Sequence, residues 1–124
     1  MKMEPIKGVV EAHLKGWGKE VWIANNELYC GKILEFNKGA EFSMHYHIKK
    51  EETWAVTKGK LLLKYYDLTN AEEKRMTLEV GDTVHLKPCI PHKLIAIEES
   101  SVFEVSTQHF EEDSYRVRKG DSQK

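Results

Sequence analysis

No stretch of this chain sustains a helical period over a dozen residues. What recurs is a short segment of alternating or β-branched character, closed at regular intervals by glycine, asparagine or aspartate. Residues 17–23, 29–36, 53–56, 60–66, 75–80, 83–87, 93–97 and 101–106 read as strands. Asn25-Asn26-Glu27, Asn37-Lys38-Gly39, Gly81-Asp82 and Glu98-Glu99-Ser100 read as turns, and 67–74 as a charged, solvated hairpin loop. Such a pattern predicts an all-β, antiparallel sandwich or barrel. With 124 residues the chain can bury one core but not two. Residues 1–16 read as an N-terminal arm, or as a strand exchanged with a partner subunit. Residues 17–118 hold the domain, and 119–124 read as a flexible tail.

Charge and composition narrow the function classes. Nineteen lysines and arginines nearly cancel twenty aspartates and glutamates, so no net field favours nucleic acid or an anionic membrane. No apolar run approaches the roughly eighteen residues of a spanning helix. The start Met1-Lys2-Met3-Glu4-Pro5 is unlike a secretory signal, and two cysteines, Cys30 and Cys89, do not make a disulfide framework. A cytoplasmic protein with two reduced thiols is the expectation.

The chemistry concentrates between Gly39 and Gly59. On a strand, Ser43, His45 and His47 share one face while Phe42, Met44 and Tyr46 share the other. At about 3.3 Å per residue the two histidines stand roughly 6.6 Å apart at the backbone. Their rings can then converge on one ion at about 2.1 Å. After the turn Ile48-Lys49-Lys50, Glu52 starts a return strand and can bring an oxygen to the same point. Parity puts Glu51 on the opposite face. His92, presented by the rigid Pro88/Pro91 loop, is a fourth candidate. A carboxylate buried with three imidazoles lacks a counter-charge, and a divalent cation supplies one.

These residues resemble the cupin superfamily. Gly39, His45-x-His47, Glu52 and Gly59 match its first motif at every defining position. In the second motif Gly81 and His92 fall at the usual spacing, while Lys87, Cys89 and Ala96 replace the usual proline, glycine and asparagine. The resemblance implies an antiparallel jelly-roll β-barrel and the ligand set His45, His47, Glu52 and His92. The pair Trp17-Gly18, the strand over 29–36, Glu104-Val105-Ser106-Thr107 and Glu112 to Val117 are further similar to the cupin domain of type II mannose-6-phosphate isomerases. That implies aldose–ketose isomerisation or epimerisation of a sugar or sugar phosphate. Cupins commonly dimerise, and the apolar face of Phe42, Met44 and Tyr46 would then be covered by a second sheet or subunit, making a homodimer.

Three imidazoles and one carboxylate suit Zn, Mn, Fe, Ni or Co and exclude an all-oxygen calcium site. Lys32, Lys64, Lys87 and Arg116 are candidate cations for a phosphate or sugar hydroxyls, or else solvated surface charge. Glu104 or His85 is the candidate general base, with Lys87 also counted among the catalytic groups. Trp54, on the face of Glu52, is either a wall against a sugar ring or ordinary core. Two other readings share the ligand set: a non-haem iron dioxygenase, and a ligand-binding cupin without turnover.

Overall fold

The computed structural model describes residues 3–124, so Met1 and Lys2 of the expected arm lie outside the described residues. Eleven strands form two antiparallel sheets: β1 (Glu11–Lys15), β2 (Gly18–Asn25), β3 (Cys30–Phe36), β4 (Met44–Tyr46), β5 (Glu52–Lys58), β6 (Lys60–Asp67), β7 (Glu72–Glu79), β8 (Thr83–Leu86), β9 (His92–Ala96), β10 (Ser100–Ser106) and β11 (Tyr115–Arg118). One sheet runs β1-β2-β3-β10-β5-β8 and the other β11-β4-β9-β6-β7. This is the jelly roll expected, with its ladders carried in two facing sheets.

Period-two burial builds the core. Leu34 and Phe36 of β3, Trp54 and Val56 of β5, Leu61 and Leu63 of β6, Leu94 and Ala96 of β9 and Val102 of β10 all point inward and join Trp17, Leu78 and Leu86 in one cluster. A single glycine turns β5 into β6. Gly59 has φ +81°, and a side chain there would run into the Glu99 carbonyl and Ser100, so only glycine fits.

Several expectations are corrected. β1 pairs with β2 of its own chain, Lys15 opposite Gly18, because the Gly16-Trp17 turn closes a tight hairpin. The expected loop 67–74 is mostly strand: Asp67 faces Glu72 across a short turn, and the charges of β7 sit on an exposed sheet edge where strands tolerate them. β11 was not anticipated. It pairs with β4, and Tyr115 stacks on Tyr46 at 5.3 Å. Met44 is fully buried, and Phe42 packs against the core, since β4 begins only at Met44 and strand parity does not extend back to residue 42. Of the face expected to be covered by a second sheet or subunit, Met44 is buried within the chain and Tyr46 is part-covered by Tyr115. The tail forms a 3-10 turn at Asp121–Gln123, where Asp121 Oδ2 accepts from Glu41 N at 2.8 Å and Ser122 Oγ from Gly16 N at 3.0 Å. Cys30 is buried and Cys89 exposed, both free thiols. Among the described residues no helix is long and apolar enough to cross a membrane.

Candidate metal centre

Register sets the site. In the six-stranded sheet Lys32 lies opposite Glu104, and Glu104 opposite Trp54. In the other, His45 lies opposite His92, and His92 opposite Tyr65. Lys32, Glu104 and Trp54 from one sheet and His45 and His92 from the other face each other across a cavity of about 290 Å³ that His47, Lys50, Glu52 and His109 also line, while Tyr65 packs against the core.

His45, His47 and His92 each offer a ring nitrogen, and the three lie within 4.8 Å of one another. Each Nδ1 contacts a backbone carbonyl: Ser43 O at 2.6 Å, Asp113 O at 2.7 Å and Ile90 O at 2.9 Å respectively. A carbonyl only accepts, so each Nδ1 carries the proton and each Nε2 keeps its lone pair for the cavity. Burial pushes all three rings below the usual histidine range, reinforced by neighbouring rings at His45 and by the Lys50 ammonium at His47. The His92 ring falls to about 3. All three are neutral at pH 7, the state that binds metal.

Glu52 is 3 % exposed. Its Oε1 accepts from Trp54 Nε1 at 2.6 Å, whereas its Oε2 is buried without a hydrogen-bond partner among the described residues, 3.7 Å from His47 Nε2 and 3.6 Å from Lys50 Nζ. An orphaned carboxylate oxygen beside neutral imidazole lone pairs is electrostatically incomplete, and a divalent cation completes it. The donor set fits a divalent metal. Glu52 stands just outside the group formed by the three rings.

A second polar cluster abuts the first. Lys50 Nζ donates to Glu104 Oε2 at 3.1 Å and lies 3.4 Å from His109 Nδ1. Burial works against its charge, but Glu104 and Glu52 outweigh that and push the ammonium up. Burial, with Glu52 next, pushes the Glu104 carboxyl up. Farther along, Lys32 Nζ sits 3.5 Å from Glu20 Oε1 and 4.2 Å from the Trp22 ring.

Of the residues singled out in the sequence, His45, His47, Glu52, His92, Trp54, Glu104 and Lys32 line this cavity, with Arg116 at the same lining but exposed. Trp54 is 1 % exposed, so it serves as core and as the donor that fixes Glu52. His85, Lys64 and Lys87 do not reach the cavity. His85 pairs with exposed Glu51 at 2.6 Å on the outer face, because Leu86 takes the inward position opposite Glu52. Lys64 follows inward-facing Leu63 and lies opposite Lys93, so it faces out. Lys87 is exposed in the loop after β8. Lys50, His109 and Asp113 were not foreseen. The Asp113 carboxylate accepts from the backbone N–H groups of Ile48, Lys49 and Lys50 at 2.9–3.1 Å, which pins the turn after His47.

Residues 32–107 match the Cupin domain family. No curated protein sequence matches the chain. Among solved structures, the chain is similar to the capsular polysaccharide assembling protein CapF of Staphylococcus aureus, with TM-score 0.75 and 12 % identity over 90 % of this chain and 33 % of that one. It is similar to oxalate decarboxylase of Bacillus subtilis, with TM-score 0.76 and 17 % identity over 87 % of this chain and 30 % of that one. The oxalate decarboxylase of Lactobacillus farciminis gives TM-score 0.77 and 15 % identity over 92 % of this chain and 37 % of that one. This chain therefore spans little more than a third of such proteins at most, and the likeness concerns the fold.

Proposed function

The chain belongs to the cupin family, and on that footing we propose that it is a metal-dependent isomerase or epimerase of a sugar or small sugar derivative. His45, His47, His92 and Glu52 would hold the ion, drawn from Zn, Mn, Fe, Ni or Co. Once bound, the ion supplies a Lewis acid for a substrate carbonyl and the hydroxyl beside it.

The observation that carries this reading is the buried Lys50–Glu104 pair in the same cavity as the imidazoles. A metal site used only for stability has no need of a buried acid–base pair beside it. Glu104, pushed up by burial, is tuned toward the range in which a carboxylate can take a proton from the carbon next to a carbonyl and return it. Lys50 holds Glu104 in place through one N–H and sets a positive charge where an enediolate oxygen would develop. Trp54 fixes the Glu52 carboxylate, and the apolar row beneath excludes water from the floor. With Lys64 and Lys87 outside the cavity, a phosphate clamp loses two of its expected members, which favours an unphosphorylated reacting end. The likeness to a capsular polysaccharide assembling protein is compatible with a sugar.

The test is deuterium exchange. Metal-loaded protein in deuterated water, screened against aldoses, ketoses and their acids, should label the carbon beside the carbonyl of its substrate. Glu104→Gln should abolish labelling while metal content stays unchanged. Oxygen uptake with substrate would instead mark an oxygenase. Tight binding without exchange would mark a binding protein.

A further inference from the structure

The two buried lysines of the cavity are not equivalent. Lys50 is bonded to Glu104 and flanked by His109 and Glu52. Lys32 is 2 % exposed, yet its ammonium makes no hydrogen bond within 3.5 Å among the described residues. Its ion-pair partner, Glu20 Oε1, lies at 3.5 Å, too far for a good hydrogen bond, and also accepts from Trp22 Nε1 at 2.8 Å. The Trp22 face at 4.2 Å stabilises the charge but accepts no directed hydrogen bond. An ammonium held at a cavity wall by only one long ion pair and an aromatic face keeps N–H groups free to turn toward the cavity, and an anionic oxygen there is the partner they suit best.

We propose that Lys32 anchors a carboxylate of the substrate, which makes the substrate a sugar acid. Charge decides between carboxylate and phosphate. The same wall carries Glu20 and Glu104, with Glu111 also on the lining, and Lys32 is the one buried ammonium there without a hydrogen-bonded carboxylate. Its charge is already shared with Glu20 at 3.5 Å, so the wall tolerates one further negative charge at most, and a phosphate dianion would meet the neighbouring carboxylates with its second. Exposed Lys15 and Arg116, which also line the cavity and have no ion pair among the described residues, draw anions inward from bulk solvent. The trp–lysine pocket lies on β2 and β3, across the cavity from the imidazoles of β4 and β9, so one end of the substrate is held while the other reacts.

This assignment rests on the cavity being a substrate site, and its test reads binding rather than turnover. Zinc-loaded protein is titrated calorimetrically with gluconate, with sorbitol as its neutral analogue of equal length, and with inorganic phosphate. Gluconate should bind at least about tenfold more tightly than sorbitol, the value of one charge-assisted hydrogen bond. Lys32→Met should bring gluconate down to the sorbitol level with zinc content unchanged, and Lys32→Arg should keep most of the preference. Equal affinities, no binding of either polyol, or phosphate binding more tightly than gluconate overturns the proposal. So does gluconate affinity that survives in Lys32→Met. Because a carboxylate can also coordinate zinc, the gluconate and sorbitol titrations are repeated on chelator-treated protein; a preference that vanishes there overturns the proposal even where the methionine variant fails to fold. A failed deuterium-exchange screen alongside an intact gluconate preference would sink the isomerase and leave the carboxylate anchor standing.

Discussion

Asp113→Ala removes one carboxylate and three backbone hydrogen bonds together. The N–H of Lys50 is buried, so its loss is felt in full, at about 2 kcal/mol. Ile48 and Lys49 are exposed, so water can replace the carboxylate there, and they add about 1 kcal/mol between them. Burial opposes the charge of Asp113, but those N–H groups hold its carboxyl below the usual carboxylate range, in keeping with an anion that accepts from all three. The sum, about 3 kcal/mol, is a large share of the 5–15 kcal/mol typical of a domain and corresponds to roughly 10 °C in melting temperature. The same change loosens the segment whose Asp113 carbonyl orients His47, so zinc affinity should fall about 10- to 100-fold although Asp113 is not a ligand. Urea denaturation of chelated protein gives the first quantity, and competition with a chromophoric chelator gives the second. A chelated variant within about 0.5 kcal/mol of wild type, with unaltered zinc affinity, would refute the account of this turn.

Other outcomes follow from the centre and its surroundings. His92→Ala should leave the purified protein without stoichiometric metal by elemental analysis; full metal content would remove His92 from the ligand set. Glu52→Gln should weaken zinc binding at least about tenfold, whereas Glu51→Gln, which touches only His85 on the outer face, should leave it unchanged; the reverse order would mean the facing was misassigned. Stability of chelated protein should fall with acid. The folded His92 ring lies near 3 against about 6.5 when unfolded, so the unfolded chain takes up protons first and stability drains away as pH falls from about 6.5. His92 alone accounts for about 2 kcal/mol by pH 5, and a denaturation midpoint flat between pH 7.5 and 5 would contradict this. Cys89 has φ +73° at the position where the motif usually has glycine, and its N–H bonds His47 O at 2.6 Å. Cys89→Gly should keep the metal and raise stability by up to about 1 kcal/mol; loss of metal would show the thiol to be a ligand.

What was legible in the sequence is what strand geometry fixes locally. His45 and His47 line one cavity as a period of two predicts, although β4 itself ends at Tyr46 and the Asp113 carbonyl orients His47. Glu52, the first residue of β5, is the one that turns inward. Gly39, Gly59 and Gly81 all adopt positive φ, which is why the motif spacing could be read as turns. The same parity could have excluded His85, since Leu86 is the residue opposite inward-facing Glu52, and Lys64, since its neighbour Leu63 belongs to the core. Position near a strand end was the weaker guide. Lys50 and Asp113 lay beyond local reasoning. Asp113 acts on His47 from 66 residues away, and nothing around either residue announces the pairing. Lys50 looks like one solvated turn residue among three until that return is made.

The C-terminal turn has a practical side. Ser122 and Gln123 belong to the lining of the cavity, and the turn is stapled to Gly16 and Glu41 near its rim. An affinity tag fused after Lys124 therefore hangs beside the doorway rather than off an idle end. Binding data gathered on tagged protein deserve repetition after its removal.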